Sequence, residues 1–233
     1  MSVSTEHQRN VLYLVPTRIG NREDFTLRAL RIHTDGDSIA CEDTRTTGSL
    51  LALYGITGKR LVSCHEHNEQ QRVHELVEEI LQGKSVAYCS DAGMPAISDP
   101  GYRIVTHAIE RGVIIVPLPG ASAGLTALMA SGLPTDEFVF AGFPPHKKGR
   151  KIYLERIAQY ECTVIMYESP YRITKLLEEV EEVCGGERQI VVARELTKMF
   201  EEFVRGTITE VKQNFLQRQA IKGEFVVILQ GKN

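Results

Sequence analysis

Short apolar runs alternate with helical segments through the first half of the sequence, and this alternation most constrains the fold. Each run has the length and the apolar character of a buried strand. The predicted strands are the runs at 11–15, 38–41, 60–63, 86–89 and 113–116. Helical spacing is clearest at 69–81, between two of these runs. Because strands that alternate with helices build βαβ units, we predict an α/β domain at 11–118 with a mainly parallel sheet.

The second half of the sequence holds more paired strand-like runs and fewer helices. The predicted strands are the runs at 137–140, 163–167, 189–193, 201–205 and 224–229. We therefore predict a second α/β domain, residues 119–233, with a mixed sheet. The proline- and glycine-rich turn at 117–120 marks the predicted boundary between the two domains. Thr207 and Glu210 have the spacing of a capping box and predict the start of a helix.

The stretch Ser90–Gly101 stands at a predicted strand-to-helix junction and is rich in residues that shape loops. It holds two Asp, two Gly, two Pro and two Ser. In open α/β sheets, ligands bind beyond the carboxyl ends of the strands, so we interpret this stretch as a ligand loop. The alternative is a tight turn in which Ser98 or Asp99 caps the next helix. Earlier in the chain, Asp24 is the predicted cap of the first helix.

Composition and missing motifs exclude several classes of function. The formal net charge of −3 means that a nucleic-acid partner must meet a local basic patch. The five cysteines are scattered and predict reduced, buried thiols. No signal peptide or long apolar span is present, so we expect a soluble, cytoplasmic protein without a membrane partner.

Common cofactor and catalytic motifs are absent as well. No GxGxxG follows the first strand, and neither a complete phosphate-binding loop nor a GxSxG motif is present. His65, His67 and His74 match no familiar zinc spacing, so we expect no metal site.

What remains is a series of polar clusters that follow predicted strands. They lie at 17–21, 42–45, 90–101, 119–122, 167–170 and 194–198. A cleft between the two domains would gather them. Each cluster also has a local alternative: an ion pair of Glu42 with Arg45, a helix cap at Ser122, and a surface pair of Arg194 with Glu195.

In this order the clusters resemble the tetrapyrrole-methylase-like superfamily of S-adenosylmethionine (SAM) methyltransferases. Within it they are similar to the branch that 2′-O-methylates the ribose of a cytidine in 16S ribosomal RNA. The motifs that carry the resemblance are at 12–15, 19–30, 42–45, 90–101, 119–123, 142–145, 167–170, 193–206 and 223–225. Together they extend over residues 11–231, and their combination is far more specific than any one of them.

The resemblance implies two α/β domains of the tetrapyrrole methylase fold with SAM in the cleft between them, and a homodimer. The implied SAM-binding residues are Ile19, Gly93, Met94, Ile97, Ser122, Ala123, Tyr167, Glu195 and, through its backbone, Glu224. Loops shaped by glycine and proline suit such a ligand, and carboxylates near the sulfonium favour its positive charge.

The implied reaction is an in-line displacement of the SAM methyl group by a ribose 2′-hydroxyl of 16S ribosomal RNA within the small ribosomal subunit. The candidates that orient or deprotonate the hydroxyl are Glu42, Asp43 and Asp91. The candidates that contact RNA phosphates are Arg18, Arg45, Lys147, Lys148 and Arg150. Arg18 stands where this branch commonly has Pro, and the basic run at 146–151 has a solvated helix start as its alternative.

Two other functions remain open at the level of sequence. One is a tetrapyrrole or corrinoid C-methyltransferase, which would bind a large acidic macrocycle. The other is a non-catalytic module that uses the fold to bind ribosomes or sense nucleotides. The Glu-Asp-Thr-Arg motif at 42–45 and the Tyr-Glu-Ser-Pro motif at 167–170 favour the RNA branch.

Overall fold

The protein divides into two compact units, one ending at Ala121 and the other beginning at Ser122. A computed structural model describes residues 9–65 and 67–232 of the chain. The division lies slightly after the predicted boundary between residues 118 and 119. Within the described ranges, none of the helices has the length and apolar character needed to cross a membrane.

The N-terminal unit is an α/β layer structure around a five-stranded parallel sheet. Its strands are β1 (Val11–Leu14), β2 (Ser38–Cys41), β3 (Leu61–Ser63), β4 (Val86–Cys89) and β5 (Ile114–Pro117). Its helices are α1 (Leu27–Asp35), α2 (Thr44–Ala52), α3 (Glu69–Leu81) and α4 (Tyr102–Glu110). The strand order is β3-β2-β4-β1-β5, and every pairing is parallel. The carboxyl ends of these strands therefore share one edge of the sheet, as the predicted α/β class requires.

Alternate residues of the central strands build an apolar core on each face of this sheet. Tyr13 packs in one cluster with residues of α1 and α2, whereas Leu12 packs in the other with residues of α3 and α4. All four residues of β4 are buried, which fits a strand covered on both faces. Full burial of each large apolar side chain contributes about 1.5–3 kcal/mol, so the two clusters hold the strand ends in place.

The prediction that Asp24 caps the first helix is wrong. Residues 22–24 form a short 3₁₀ turn, in which the side chain of Asn21 accepts a hydrogen bond from the Glu23 N–H at 3.1 Å. The cap of α1 is Thr26, whose hydroxyl accepts a hydrogen bond from the Ala29 N–H at 3.1 Å. Phe25, between the two caps, is buried and has an extended backbone (φ −82°, ψ 116°), so the 3₁₀ turn does not continue into α1.

His33 is a buried histidine that links stability to pH. It lies in α1, and neither ring nitrogen has a hydrogen-bond partner among the described residues. Burial, with a smaller effect from the positive charge of Lys59, lowers its pKa to about 4. An unfolded histidine binds a proton below pH ~6.5, so the unfolded state binds more protons than the folded state in the window between these values. Stability therefore falls as the pH falls through this window.

Because of this histidine, we expect the free energy of unfolding to be about 1 kcal/mol lower at pH ~5.5 than at pH ~7. The substitution His33→Leu should abolish that contribution, because leucine binds no proton. No hydrogen bond among the described residues is lost with the ring. Urea denaturation of the wild type and the variant at both pH values measures the difference. His67→Leu, at an exposed position, is the control. An equal pH dependence in wild type and His33→Leu would contradict the expectation.

The C-terminal unit is built on a five-stranded mixed sheet, which confirms the predicted class. Its strands are β6 (Phe138–Gly142), β7 (Thr163–Glu168), β8 (Gln189–Arg194), β9 (Glu202–Thr207) and β10 (Phe225–Leu229). Its helices are α5 (Ala123–Met129), α6 (Arg150–Ile157), α7 (Ile173–Cys184) and α8 (Ile208–Leu216). The order is β6-β7-β10-β8-β9, with β6 and β7 parallel and the other pairs antiparallel.

The last strand completes the middle of this sheet. All five residues of β10 are buried between β7 and β8. The predicted capping box is present at α8, where the Thr207 hydroxyl accepts from the Glu210 N–H at 3.2 Å and the Glu210 carboxylate accepts from the Thr207 N–H at 2.8 Å. This box fixes the point at which the chain leaves β9.

Candidate active site

Carboxylates gather at the carboxyl edge of the N-terminal sheet. Glu42 and Asp43 follow β2 directly, and Asp91 lies two residues after the neighbouring β4. The Asp43 N–H donates a hydrogen bond to the Asp91 carboxylate at 3.3 Å. The parallel pairing of β2 with β4 thus brings the three predicted catalytic residues to one place.

Asp43 is held by local contacts that make it a poor proton acceptor. It is the N-cap of α2, and its carboxylate accepts from the Arg45 N–H at 2.8 Å. The Arg45 guanidinium lies 2.9 Å from the same carboxylate, with its side chain 90% exposed. These hydrogen bonds lower the pKa of Asp43 to about 2. The local pair therefore joins Arg45 to Asp43, and the predicted pair of Glu42 with Arg45 is wrong.

Glu42, Asp91 and Asp99 have the opposite electrostatic environment. Burial, followed by the charge of Asp91, raises the pKa of Glu42. Burial also raises the pKa of Asp91. Burial, followed by the charge of Glu42, raises the pKa of Asp99 to about 6. Carboxyl groups that share a half-buried site and resist ionisation are suited to exchange a proton near neutral pH.

Asp99 was expected to be a helix cap if the loop were an ordinary turn, and that alternative is wrong. Helix α4 begins at Tyr102 after Gly101, with no side-chain cap. The Gly101 N–H donates to the Glu69 carboxylate at 3.2 Å. Gly101 has φ +132°, and a Cβ there would lie 2.9 Å from Cε1 of Tyr88, so glycine is required. Asp99 therefore has no capping role, and its carboxyl group experiences the charges of Glu42 and Asp91.

The loop around Asp99 is folded back on itself in an unusual backbone conformation. Ala96 and Ser98 both have left-handed φ angles, 67° and 61°. The Ala96 N–H closes the loop by donating to the Pro100 carbonyl at 3.1 Å. Non-glycine residues in this region cost about 1–3 kcal/mol each and cluster at functional sites. Sequence reasoning missed Asp99 because a Ser-Asp pair before a helix is also the usual signal of a cap.

The other half of the loop contacts the segment after β1, where the predicted cofactor residues of this unit lie. The Thr17 N–H donates to the Gly93 carbonyl at 2.9 Å. Gly93 has φ +78°, and a Cβ there would lie 3.5 Å from Cγ2 of Ile19. Ile19 is buried, Met94 is partly buried, and Ile97 is half exposed. The structure therefore brings Ile19 together with Gly93 and leaves apolar surface of Ile97 accessible.

Arg18 occupies the position next to Ile19 in this segment. Its side chain is partly buried, and its Nε atom is buried without a hydrogen-bond partner among the described residues. A buried N–H donor without a partner costs free energy, and this nitrogen is not open to an RNA phosphate in the conformation described here.

In the C-terminal unit, three predicted cofactor residues meet at one corner. The Tyr167 hydroxyl, on β7, accepts a hydrogen bond from the Gly124 N–H at 3.0 Å. Gly124 lies in the first turn of α5, directly after Ala123 and the N-cap position Ser122. Ser122 makes no side-chain cap, so its hydroxyl is not used in the way that the local alternative requires. Phe140 and Phe143 contact the Tyr167 ring edge-on, with centroids 5.2 and 5.4 Å away.

Glu195 and Glu224 are joined to each other. The Glu224 N–H donates to the Glu195 carboxylate, and the Glu195 N–H donates to the Glu224 carbonyl, both at 3.0 Å. Lys198 donates to both carboxylates, at 3.1 and 2.9 Å. The Glu224 N–H is therefore not available to a ligand, and only its carbonyl keeps a free lone pair. Arg194 forms an ion pair with Glu202 at 3.7 Å, and its charge also acts on Glu195 without forming an ion pair with it.

Arg150 is a buried structural residue, and the prediction that it contacts RNA is corrected. Its guanidinium lies 3.3 Å from the fully buried carboxylate of Glu168 and 2.6 Å from that of Glu179. Lys147 and Lys148, in the same basic run, are exposed. The run therefore contains two exposed lysines and one buried arginine that forms structural ion pairs. The charge pattern of the sequence alone does not distinguish them.

Comparisons with known proteins agree with this organisation. The family model of tetrapyrrole (corrin/porphyrin) methylases matches residues 11–212. A protein of Haemophilus influenzae named ribosomal RNA small subunit methyltransferase I is 49% identical, over 95% of this chain and 79% of its own length. A protein of the same name from Bacillus subtilis is 46% identical, over 100% of this chain and 79% of its own length.

Solved structures show the same fold at low sequence identity. A diphthine synthase matches with a TM-score of 0.74 at 14% identity, over 96% of this chain and 90% of its own. The uroporphyrin-III C-methyl transferase of Thermus thermophilus, complexed with S-adenosyl homocysteine, matches with a TM-score of 0.63 at 18% identity, over 94% of this chain and 96% of its own. From the family match and the identities above, the chain belongs to the tetrapyrrole methylase family and is a SAM-dependent methyltransferase.

Proposed function

We propose that this methyltransferase transfers the methyl group of SAM to the ribose 2′-oxygen of a cytidine in 16S ribosomal RNA of the small ribosomal subunit. One observation carries the acceptor class: relatives at 46–49% identity over nearly the whole chain are named for methylation of small-subunit ribosomal RNA. The proposal that the acceptor atom is the ribose 2′-oxygen and that the nucleotide is a cytidine rests on the resemblance of the strand-end motifs to the ribose-methylating branch.

The carboxyl edge of the N-terminal sheet supports the proton transfer that this reaction needs. The cofactor supplies a methyl carbon on a positively charged sulfur. The ribose oxygen forms the new O–C bond as the C–S bond breaks, and the hydroxyl proton passes to a carboxylate. Glu42, Asp91 and Asp99 are the candidates, because their raised pKa values place them nearer to neutral pH than an ordinary carboxyl group. We assign Asp43 the cap of α2 instead.

Ile19, Gly93, Met94 and Ile97 are proposed to hold the cofactor in the N-terminal unit. The open backbone at Gly93 beside Ile19 leaves room that a Cβ would take, which fits close approach of a ligand. In the C-terminal unit, the corner formed by Ser122, Ala123 and Tyr167 is proposed to contribute, together with the joined pair of Glu195 and Glu224. That these residues of the two units contact one cofactor molecule stays a prediction.

For the substrate, we propose that Arg18, Arg45, Lys147 and Lys148 meet RNA phosphates. The 90% exposed side chain of Arg45 supports this role at the N-terminal unit, and Arg18 is included for its place in the segment that follows β1. We further propose that the protein acts in the cytoplasm and, on the resemblance alone, that it is a homodimer. Analytical ultracentrifugation at micromolar concentration tests the dimer.

Incubation with methyl-labelled SAM and alternative acceptors tests the proposed acceptor. Purified small ribosomal subunits should accept label, whereas uroporphyrinogen-type tetrapyrrole acids should not. Label in the tetrapyrrole acids alone would assign the corrinoid class. No SAM binding by calorimetry at millimolar ligand would assign a non-catalytic module.

A further inference from the structure

Two segments of the C-terminal unit are tied together by one buried carboxylate. Glu168, the last residue of β7, has a fully buried side chain. One of its oxygens receives Arg150, at 3.3 and 3.4 Å, and the other receives Arg172 at 2.9 Å and the Ser169 N–H at 2.8 Å. Arg150 begins α6 after the loop 143–149, and Arg172 ends the turn 169–172 before α7.

Further contacts fix the two segments to each other. Arg150 donates to the Pro145 carbonyl at 3.1 Å and so fastens the middle of the loop. Arg172 lies 3.0 Å from Nε2 of His146 and so reaches the loop from the turn. Phe143, at the start of the loop, contacts the Tyr167 ring with centroids 5.4 Å apart. The loop and the turn are therefore connected through Glu168 and through the contact of Arg172 with His146.

The side chains that the loop and the turn present are basic and aromatic. Lys147 and Lys148 are exposed, and neither forms an ion pair with a carboxylate among the described residues. Tyr171, at the tip of the turn, is 94% exposed, and Phe143 is 51% exposed. The two arginines behind them are offset by Glu168 and Glu179, so the charge left at the surface is that of the lysines.

From this arrangement we propose that the loop 143–149 and the turn 169–172 form one RNA-docking surface, on which Tyr171 stacks against an unpaired base and Lys147 and Lys148 contact the backbone. Glu168, Arg150 and Arg172 are its positioning residues. Exposed lysines together with exposed aromatic rings are the combination by which many proteins bind single-stranded RNA, because every base has a face to stack and every linkage has a phosphate. A helix start that is merely solvated would not need a buried carboxylate that is shared by two arginines. The inference rests on the proposed function and adds the residues that grip the substrate.

Steady-state kinetics of the full chain on small ribosomal subunits test the surface. Tyr171→Leu should raise the KM for the subunits about tenfold, since stacking on one base contributes about 1–3 kcal/mol. Tyr171→Trp should keep the wild-type KM, because it preserves the aromatic face. The KM for SAM and the value of kcat should change in neither variant. Ile152→Ala, which removes an apolar side chain that is 73% exposed on α6, is the matched control.

The lysines are tested by the salt dependence of binding to a small-subunit RNA fragment. The double variant Lys147→Ala/Lys148→Ala should reduce the slope of log affinity against log salt by about 1.4, that is, about 0.7 for each phosphate contact with a single strand. The double variant Lys84→Ala/Lys232→Ala should leave the slope unchanged.

The outcomes separate this surface from the proposed reaction. One outcome would overturn the docking surface alone. In it, the wild type methylates small subunits, Tyr171→Leu keeps the wild-type KM, and the Lys147/Lys148 variant keeps the wild-type salt slope. If these variants lose binding to intact subunits but bind the RNA fragment as the wild type does, the RNA-docking surface is also overturned. The surface would then be assigned to a protein partner. A wild type that transfers no methyl group to RNA would overturn the proposed function itself.

Discussion

Replacing Asp99 with Asn is expected to lower kcat about 100-fold, the lower end of what a positioned acid or base contributes. The pKa of Asp99 is raised to about 6 by burial and by the charge of Glu42. A base must be ionised to accept the ribose proton, so the wild-type kcat should rise with pH through about 6 and level off above it. Asn cannot ionise, so the variant should lack this rising limb.

The same substitution should stabilise the fold near neutral pH. The pKa of Asp99 is about 6 in the folded protein, against about 3.9 for an unperturbed Asp. The unfolded state therefore loses its proton first as the pH rises, and folding stability falls between these two values. Removing the charge should recover about 1–2 kcal/mol at pH ~7. A residue with a purely structural role would instead lose stability when replaced.

Asp43→Asn is the matched control for this experiment. Asn also caps helices well, and the hydrogen bonds that lower the pKa of Asp43 to about 2 make it a weak base. We expect its kcat to stay within about threefold of the wild-type value, since an isosteric cap leaves the neighbouring backbone unchanged. A wild-type kcat and an intact acidic limb in Asp99→Asn would refute the assignment of Asp99.

Replacing Glu168 with Gln is expected to destabilise the C-terminal unit by about 3 kcal/mol. The carboxylate is fully buried and compensates Arg150 and Arg172. Removing one partner of a buried ion pair costs about 3–5 kcal/mol, and we expect the lower end because Arg150 keeps its contact with Glu179 at 2.6 Å. The result should be visible as faster hydrogen exchange at amides of β7 and α7, since the network connects these two elements.

Glu155→Gln provides the comparison. Glu155 lies on α6 with a side chain 51% exposed, 3.9 Å from Lys151. A pair of this kind contributes about 0–1 kcal/mol, so the exchange rates should be close to those of the wild type. Equal protection of β7 amides in Glu168→Gln and the wild type would show that the network does not stabilise this unit.

The fold class could be predicted from the sequence because strand length and helical period are local properties. The capping box at Thr207 and Glu210 was predictable for the same reason. The first helix was assigned the wrong cap, because Asp24 and Thr26 are both good capping residues. What separates them is the extended backbone of Phe25, a residue that is buried in the packed core.

The location of the candidate site at the ends of the strands could be predicted from the sequence. The role of each residue in it could not. Parallel pairing of β2 with β4 was enough to bring Asp43 and Asp91 together. The role of Asp99 depends on its burial and on the charge of Glu42, a residue remote in sequence, so it could not be predicted from the loop alone. Arg150 likewise belongs to a basic run, and only its contact with Glu168 shows that it is an anchor.

The proposed reaction is tested most directly by the identity of the methylated nucleoside. Small ribosomal subunits that lack the modification would be incubated with the protein and isotope-labelled SAM. Their RNA would then be digested to nucleosides and separated by mass spectrometry. The proposal predicts labelled 2′-O-methylcytidine from 16S ribosomal RNA. Label on a base, on another ribose or on no nucleoside at all would contradict it.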